Sequence, residues 1–163
     1  MPPKLNSMRL LERQGIDYET MVFPDTIHSA SGVAEYFALA PSQVYKTLVV
    51  MLDTRAPALV LVAAHRQLHL KSLARSLDVK KLRMATHKEA ETYTGLKVGG
   101  ISALALVHRG FPVYIDRAAT TLDTMLVSAG QRGINLRLRV ADFLRVTGAC
   151  LVEATLPLPE HGR

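Results

Sequence analysis

Apolar residues along this chain change their period repeatedly, and a glycine or proline stands at most of the changes. Leu5, Met8 and Leu11, with Leu10 beside them, have the spacing of one helical face, and Gly15 is placed to cap its end. A strand is expected over Asp17 to Phe23. Ser31 precedes the apolar set Val33, Ala34, Phe37 and Ala38, which predicts a helix that stops before Pro41. Two unbroken apolar runs follow, Thr47 to Leu52 and Ala58 to Ala64, joined across Arg55-Ala56-Pro57; runs of this length joined by a short turn predict adjacent antiparallel core strands. Leu68 to Leu77 reads as a helix. Thr86 and Glu89 form a capping-box pattern for another helix, which Gly95 would end. Val113 to Asp116, Thr124 to Ser128 and Ile134 to Leu138 read as strands. In the last, Ile134, Leu136 and Leu138 alternate with Asn135, Arg137 and Arg139. Ala141 to Thr147 is a short helix before Gly148, and the segment from Pro157 to Arg163 reads as a tail that frays.

Helices and strands thus interleave without a repeat or a linker. With 163 residues, 48% of them hydrophobic, one domain can bury its own core without a disulfide or a structural metal. The only cysteine, Cys150, leaves no intramolecular disulfide to form, and a reducing, cytoplasmic setting is the expectation. The first residues lack the apolar centre of a secretory signal, and no run reaches the ~20 apolar residues of a membrane span.

Charge narrows the partners. Twenty Lys and Arg against fourteen Asp and Glu give a formal +6 and a pI near 9.7, which favours anions. Arg66, Lys71, Arg75, Lys80, Lys81, Arg83 and Lys88 form one basic group and Arg132, Arg137, Arg139 and Arg145 a second. The two groups either bracket a phosphate backbone or form ordinary solvated faces. Without tryptophan and with 6% aromatic residues, a long base-stacking platform is not expected; contact with a nucleic-acid end stays open.

Nucleotide-hydrolysing, dinucleotide-binding, serine-hydrolase and zinc-protease signatures are absent. His65 and His69 have i, i+4 spacing with no third ligand nearby, so no catalytic metal is expected. Ser128 has no histidine base with a claim on it and is read as a turn hydrogen-bonding residue. Lys46 heads the first apolar run. A charge at the mouth of a buried strand either snorkels to water or points into a site, where it would grip phosphate or a polarised oxygen, or act as an amine of lowered pKa. Gly99 and Gly100 expose main-chain groups to close approach by a ligand.

Four segments occur in a telling order: Gln43-Val44-Tyr45-Lys46-Thr47-Leu48, Gln67-Leu68-His69-Leu70-Lys71, Val98-Gly99-Gly100-Ile101-Ser102, and Val127-Ser128-Ala129-Gly130-Gln131-Arg132-Gly133. In order and spacing the chain resembles the YbaK-like family of prolyl-tRNA editing domains and free-standing aminoacyl-tRNA deacylases, over roughly residues 4 to 153. The resemblance implies an α/β (α+β) fold, a single compact domain with a mixed, strongly curved, partly barrel-like sheet surrounded by helices. Residues 1–156 would form the editing domain and 157–163 a flexible tail. It also implies hydrolysis in trans of the ester on a mischarged tRNA, with tRNA-Pro carrying cysteine or alanine as the expected substrate. No cofactor is implied.

The resemblance implies that Lys46 anchors the 3′ end of the tRNA and that the backbone of Gly99, with Gly100, faces the aminoacyl carbonyl as the catalytic set. Phe23, Thr47, Ser102, Ser128 and Asn135 would surround the substrate, and Arg66, Lys71 and Arg132 would face the tRNA. Prolyl-tRNA synthetase is a second candidate partner; membrane and DNA are not expected. Three residues depart from the family pattern: Ala103 replaces a loop proline, Phe23 stands where some relatives have tyrosine, and Asn135 where some have aspartate. Those departures motivate the alternative of a non-catalytic module that binds tRNA 3′ ends or a synthetase. A hydrolase of small esters is the third reading.

Overall fold

The computed structural model describes residues 3–53 and 55–158. In chain order the elements are α1 (Asn6–Arg13), β1 (Glu19–Val22), α2 (Ala30–Tyr36), β2 (Tyr45–Met51), β3 (Pro57–Ala63), β4 (Arg66–Leu68), α3 (Leu70–Leu77), β5 (Arg83–Met84), α4 (His87–Thr94), β6 (Val113–Asp116), β7 (Thr124–Gln131), β8 (Ile134–Arg139), α5 (Val140–Thr147), β9 (Cys150–Val152) and β10 (Thr155–Pro157). Local chemistry accounts for several of their ends. Thr86 Oγ1 accepts from Glu89 N–H at 3.1 Å and Glu89 Oε1 accepts from Thr86 N–H at 2.9 Å, so the capping box starts α4. Gly95 and Gly148 close α4 and α5 in the left-handed conformation.

The strands form three sheets. The largest has the order β5-β2-β3-β6-β9, antiparallel from β5 through β3 and parallel from β3 through β9. A second, antiparallel sheet has the order β1-β8-β7, and β10 pairs with β4 in the third. A parallel bridge between Val44 and Leu126 joins the first two beside the start of β2. The large sheet is mixed as expected, and no sheet closes among the described residues, so the partly barrel-like expectation is not borne out: β5 and β9 remain edges of the large sheet and β1 and β7 those of the second.

β3 explains why its sequence is a continuous apolar run. Leu59, Leu61 and Ala63 enter the main core, which includes Met125, Leu136 and Phe143, while Ala58, Val60 and Val62 pack on the other face with Leu73 of α3. Both faces are buried, so alternation disappears.

Two segments differ from the sequence expectation. The helix expected from Leu68 begins at Leu70, because Arg66–Leu68 pairs with β10 and His69 takes the cap position, its Nδ1 accepting from Ser72 N–H at 3.3 Å. His65 and His69 therefore share no helix face. Pro157, expected in the fraying tail, instead ends β10 opposite Arg66; the tail reading of 159–163 lies outside the described residues. No helix among the described residues is long and apolar enough to cross a membrane.

Candidate functional site

One cavity of about 220 Å³ opens where the two larger sheets meet. Phe23, Lys46, Thr47, Gly99, Ser128 and Asn135 all line it. β2 supplies Lys46 and Thr47, the segment after α4 supplies Gly99, and Ser128 and Asn135 face each other across the β7–β8 ladder. Phe23 follows β1 and is buried, with its ring edge-on to Phe37 at 6.1 Å between centroids. The Ser128 Oγ accepts from Gly130 N–H at 3.2 Å inside an irregular turn of β7, a positioning bond of the kind expected at a strand end.

Lys46 is half-buried, and its Nζ donates to the Arg66 carbonyl at 3.0 Å. Burial lowers its pKa from 10.5, since removing water disfavours the ammonium form. An ammonium has three N–H donors, so two remain for a ligand. The neighbouring Tyr45 phenol is pushed up to about 12 by burial and by the nearby Asp116 carboxylate, and stays neutral. Thr47 Oγ1 is enclosed and has no hydrogen-bond partner in the structure, an uncommon condition for a buried hydroxyl.

The glycine-bearing loop is held from two sides. Val98 N–H donates to Glu91 Oε2 at 2.9 Å, and the Val98 carbonyl accepts from Arg132 Nε at 2.9 Å. The Val98 N–H bond is the leading cause that lowers the Glu91 pKa. Gly99 follows with φ +93°, a conformation that L side chains rarely adopt. Gly100 lies against the β7–β8 turn: a Cβ on it would stand 2.8 Å from Arg132 N and 3.0 Å from the Gln131 carbonyl carbon.

Not every predicted residue meets this cavity. Gly100 and Arg132 line a separate hollow of about 540 Å³, and Ser102 is buried with its Oγ accepting from Ala105 N–H at 3.1 Å. Arg132 therefore braces the loop that holds Gly99. Arg66 directs Nε and Nη2 to Thr155, at 2.9 and 3.2 Å. Lys71 is exposed in a third hollow, about 590 Å³, together with Lys80 and Lys81. Glu91, Asp116 and Thr155 were not singled out from the sequence. Their importance comes from pairings across the fold, for which spacing along the chain gives no signal. Among the described residues no three His, Cys, Asp or Glu side chains are placed to hold a metal ion.

Residues 25–146 match the family described as the aminoacyl-tRNA editing domain. A candidate Cys-tRNA(Pro)/Cys-tRNA(Cys) deacylase of Enterococcus faecalis, EbsC, is 30% identical over 93% of both chains. A proline–tRNA ligase of a Sulfurihydrogenibium species is 27% identical over 68% of this chain and 19% of its own length. Two solved structures share the fold: a hypothetical protein with TM-score 0.83 at 19% identity, covering 91% of this chain and 97% of its own, and a candidate trans-editing enzyme for prolyl tRNA synthetase with TM-score 0.79 at 22% identity, covering 96% and 99%. The chain belongs to the YbaK-like family of aminoacyl-tRNA editing domains.

Proposed function

We propose that the protein is a trans-acting aminoacyl-tRNA deacylase of the cytoplasm, which hydrolyses the ester of a mischarged tRNA, with tRNA-Pro bearing cysteine or alanine as its substrate. The observation that supports this most directly is the sharing of one small cavity by the Lys46 ammonium, Thr47 and the Gly99 loop. The name of the E. faecalis relative points the same way.

In this reading the terminal ribose enters beside Lys46, whose two remaining N–H groups meet phosphate or ribose oxygens, and the aminoacyl group turns into the cavity. Water attacks the ester carbonyl carbon; the bond to the ribose oxygen breaks, that oxygen takes a proton, and the free amino acid leaves. No protein side chain forms a covalent bond. Position and field from the Lys46 charge and from main-chain groups near Gly99 supply the acceleration. A cavity of about 220 Å³ suits a small amino acid. One methylene changes binding by only ~1–3 kcal/mol, so recognition of the tRNA must add to the selectivity. Lys71, Lys80 and Lys81 line one hollow, with Asp53 the acidic residue among them, and offer a footing for phosphates.

The test is a panel of tRNAs charged with cysteine, alanine, serine, threonine or proline, followed for ester loss with native protein and Lys46→Ala. Loss of one or more esters with the native protein, reduced in the variant, is expected. Salt-sensitive tRNA binding with no turnover on any charged tRNA would reject the hydrolase reading in favour of a binding module. Equal activity on aminoacyl esters lacking RNA would reject tRNA as the substrate.

A further inference from the structure

Asp116 is buried at the end of β6, outside the cavity lining, and the reaction sketched above makes no use of it. Its carboxylate is directed to the segment that leads into β10: Oδ1 accepts from Ala154 N–H at 3.1 Å and Oδ2 accepts from the Thr155 hydroxyl at 3.1 Å. A threonine hydroxyl has one proton, and here it goes to Asp116, so its lone pairs are left for Arg66. Arg66 Nε donates to Thr155 Oγ1 at 2.9 Å and Nη2 donates to the Thr155 carbonyl at 3.2 Å. The main-chain carbonyl of the same arginine is the group that accepts from Lys46 Nζ at 3.0 Å.

Two further features make that carbonyl dependent on β10. β4 is three residues long and pairs only with β10. His69 N–H donates to the Ala154 carbonyl at 2.7 Å, so by the alternation of an antiparallel ladder Arg66 and Pro157 face each other as a non-hydrogen-bonded pair, and the Arg66 carbonyl points away from β10 and is open to the lysine. A lysine side chain has a long flexible stem and needs a fixed partner to stand in one place. Arg66, clasped by Thr155 and through it by Asp116, provides one.

We infer that Asp116, Thr155 and Arg66 form a clamp that sets the position of the Lys46 ammonium, so that the C-terminal strand β10 is part of the working site. Asp116 and Thr155 are positioning residues in this assignment, since neither touches the cavity. A clamp that served only to staple the fold would affect stability and leave the chemistry of Lys46 alone. The kinetic form of the inference rests on the deacylase reading; its structural form does not.

The experiment is a double-mutant cycle of Thr155→Val and Lys46→Ala, with Thr155→Ser as the conservative control, read as kcat/KM on charged tRNA and as Kd for uncharged tRNA. Thr155→Val removes the hydroxyl and should lower kcat/KM on the order of tenfold, while Thr155→Ser keeps it near the native value. In the Lys46→Ala background Thr155→Val should add nothing, because the group being positioned is gone. Additive losses, or a Thr155→Val protein as active as the native one, overturn the clamp. A crystal structure of Thr155→Val decides the point without any substrate: the Lys46 Nζ contact with the Arg66 carbonyl should be lost, and its retention at the native distance overturns the inference. If the native protein deacylates nothing, the deacylase reading falls, and that structure still decides the clamp.

Discussion

Arg132 Nε donates to the Val98 carbonyl at 2.9 Å, and the other main-chain group of Val98 is held by Glu91 at the same distance. A cation from the β7–β8 turn and an anion from α4 thus grip one residue, the one immediately before Gly99. The bonds are charge-assisted, stronger than neutral ones and directional. They supply an alternative to the restraint expected from a loop proline: Ala103, in its place, is packed in the core, and the aim of the loop is set by side chains from elsewhere in the chain.

Removing that grip should act on turnover. Arg132→Ala is expected to lower kcat/KM for charged tRNA by roughly tenfold or more, as small displacements of positioning groups do. Arg132→Lys should restore little, because a point-like ammonium does not reproduce the fixed direction of the guanidinium N–H. Steady-state kinetics on both variants checks this, and native turnover in Arg132→Ala would show that the loop holds its own shape.

Gly100→Ala tests the contact beneath the loop. The added Cβ would lie 2.8 Å from Arg132 N, a main-chain atom that cannot rotate away. The loop and turn must separate, at about 1–3 kcal/mol of stability, as overpacking substitutions cost. Denaturant unfolding measures the stability loss, which should be accompanied by lowered turnover because the same separation draws Val98 from Arg132. An unchanged midpoint would show that the turn yields freely.

Much of this fold is legible in the sequence because local chemistry and tertiary context agree. The Thr86 and Glu89 box, the Gly95 and Gly148 caps and the two apolar runs of β2 and β3 each mark an element at its observed place. What escapes the sequence is decided by partners. Arg83–Met84 and Cys150–Val152 are strands because β2 and β6 offer them edges, and Thr155–Pro157 is one because Arg66–Leu68 does. The candidate site divides in the same way. Lys46 and the Gly99-Gly100 pair stand out as exceptions to their surroundings, a charge before an apolar run and two glycines in a turn, while Thr47 enters only through the resemblance. Glu91 and Asp116 are ordinary carboxylates until Val98, Ala154 and Thr155 are brought to them. Arg66 and Arg132, expected to face tRNA, are bonded within the fold to Thr155 and Val98, contacts for which the sequence gives no signal.

Lys46 should impose an alkaline limit on function. Burial lowers its pKa below 10.5, so the ammonium loses its proton sooner than an exposed lysine would as pH rises. If the charge anchors the tRNA end, kcat/KM is level at neutral pH and falls through that lowered value. Lys46→Arg, which remains charged, should lose that limb even if its overall rate is reduced. The linked effect on stability has the opposite sense: burying the charged form is a cost below the folded-state pKa, and the cost is relieved as pH rises through it. A pH profile with the same alkaline limb in Lys46→Arg would assign the limb to another group.

Acid should weaken the start of α4. Glu89 has its pKa lowered from 4.5 to about 2, first by its hydrogen bond with Arg83 and then by Thr86 N–H. Its folded-state value is depressed, so its contribution is present above the unfolded value of 4.5 and is lost as pH falls toward about 2. Glu89→Gln should therefore be less stable than the native protein at neutral pH, and the gap should close across that window. Denaturant midpoints measured at a series of pH values give the comparison directly; a gap independent of pH would assign the effect to helix capping alone.

Thr47 offers a test in which stability and function should move apart. Its enclosed Oγ1 has no partner, so folding strips water from the hydroxyl and returns nothing. Thr47→Val replaces that hydroxyl with a methyl group of similar shape and should raise stability by about 1 kcal/mol, the lower end of the cost of an unsatisfied buried group. The residue also lines the cavity, and rotation about χ1 exchanges its methyl and hydroxyl, so an arriving ester gives the hydroxyl a partner that the free protein lacks. Thr47→Val should then lose turnover on charged tRNA while it gains resistance to denaturant, and Thr47→Ser should keep both near native. Greater stability with undiminished turnover would remove Thr47 from the reaction, and lower stability would mean that the hydroxyl already has a partner, such as an ordered water.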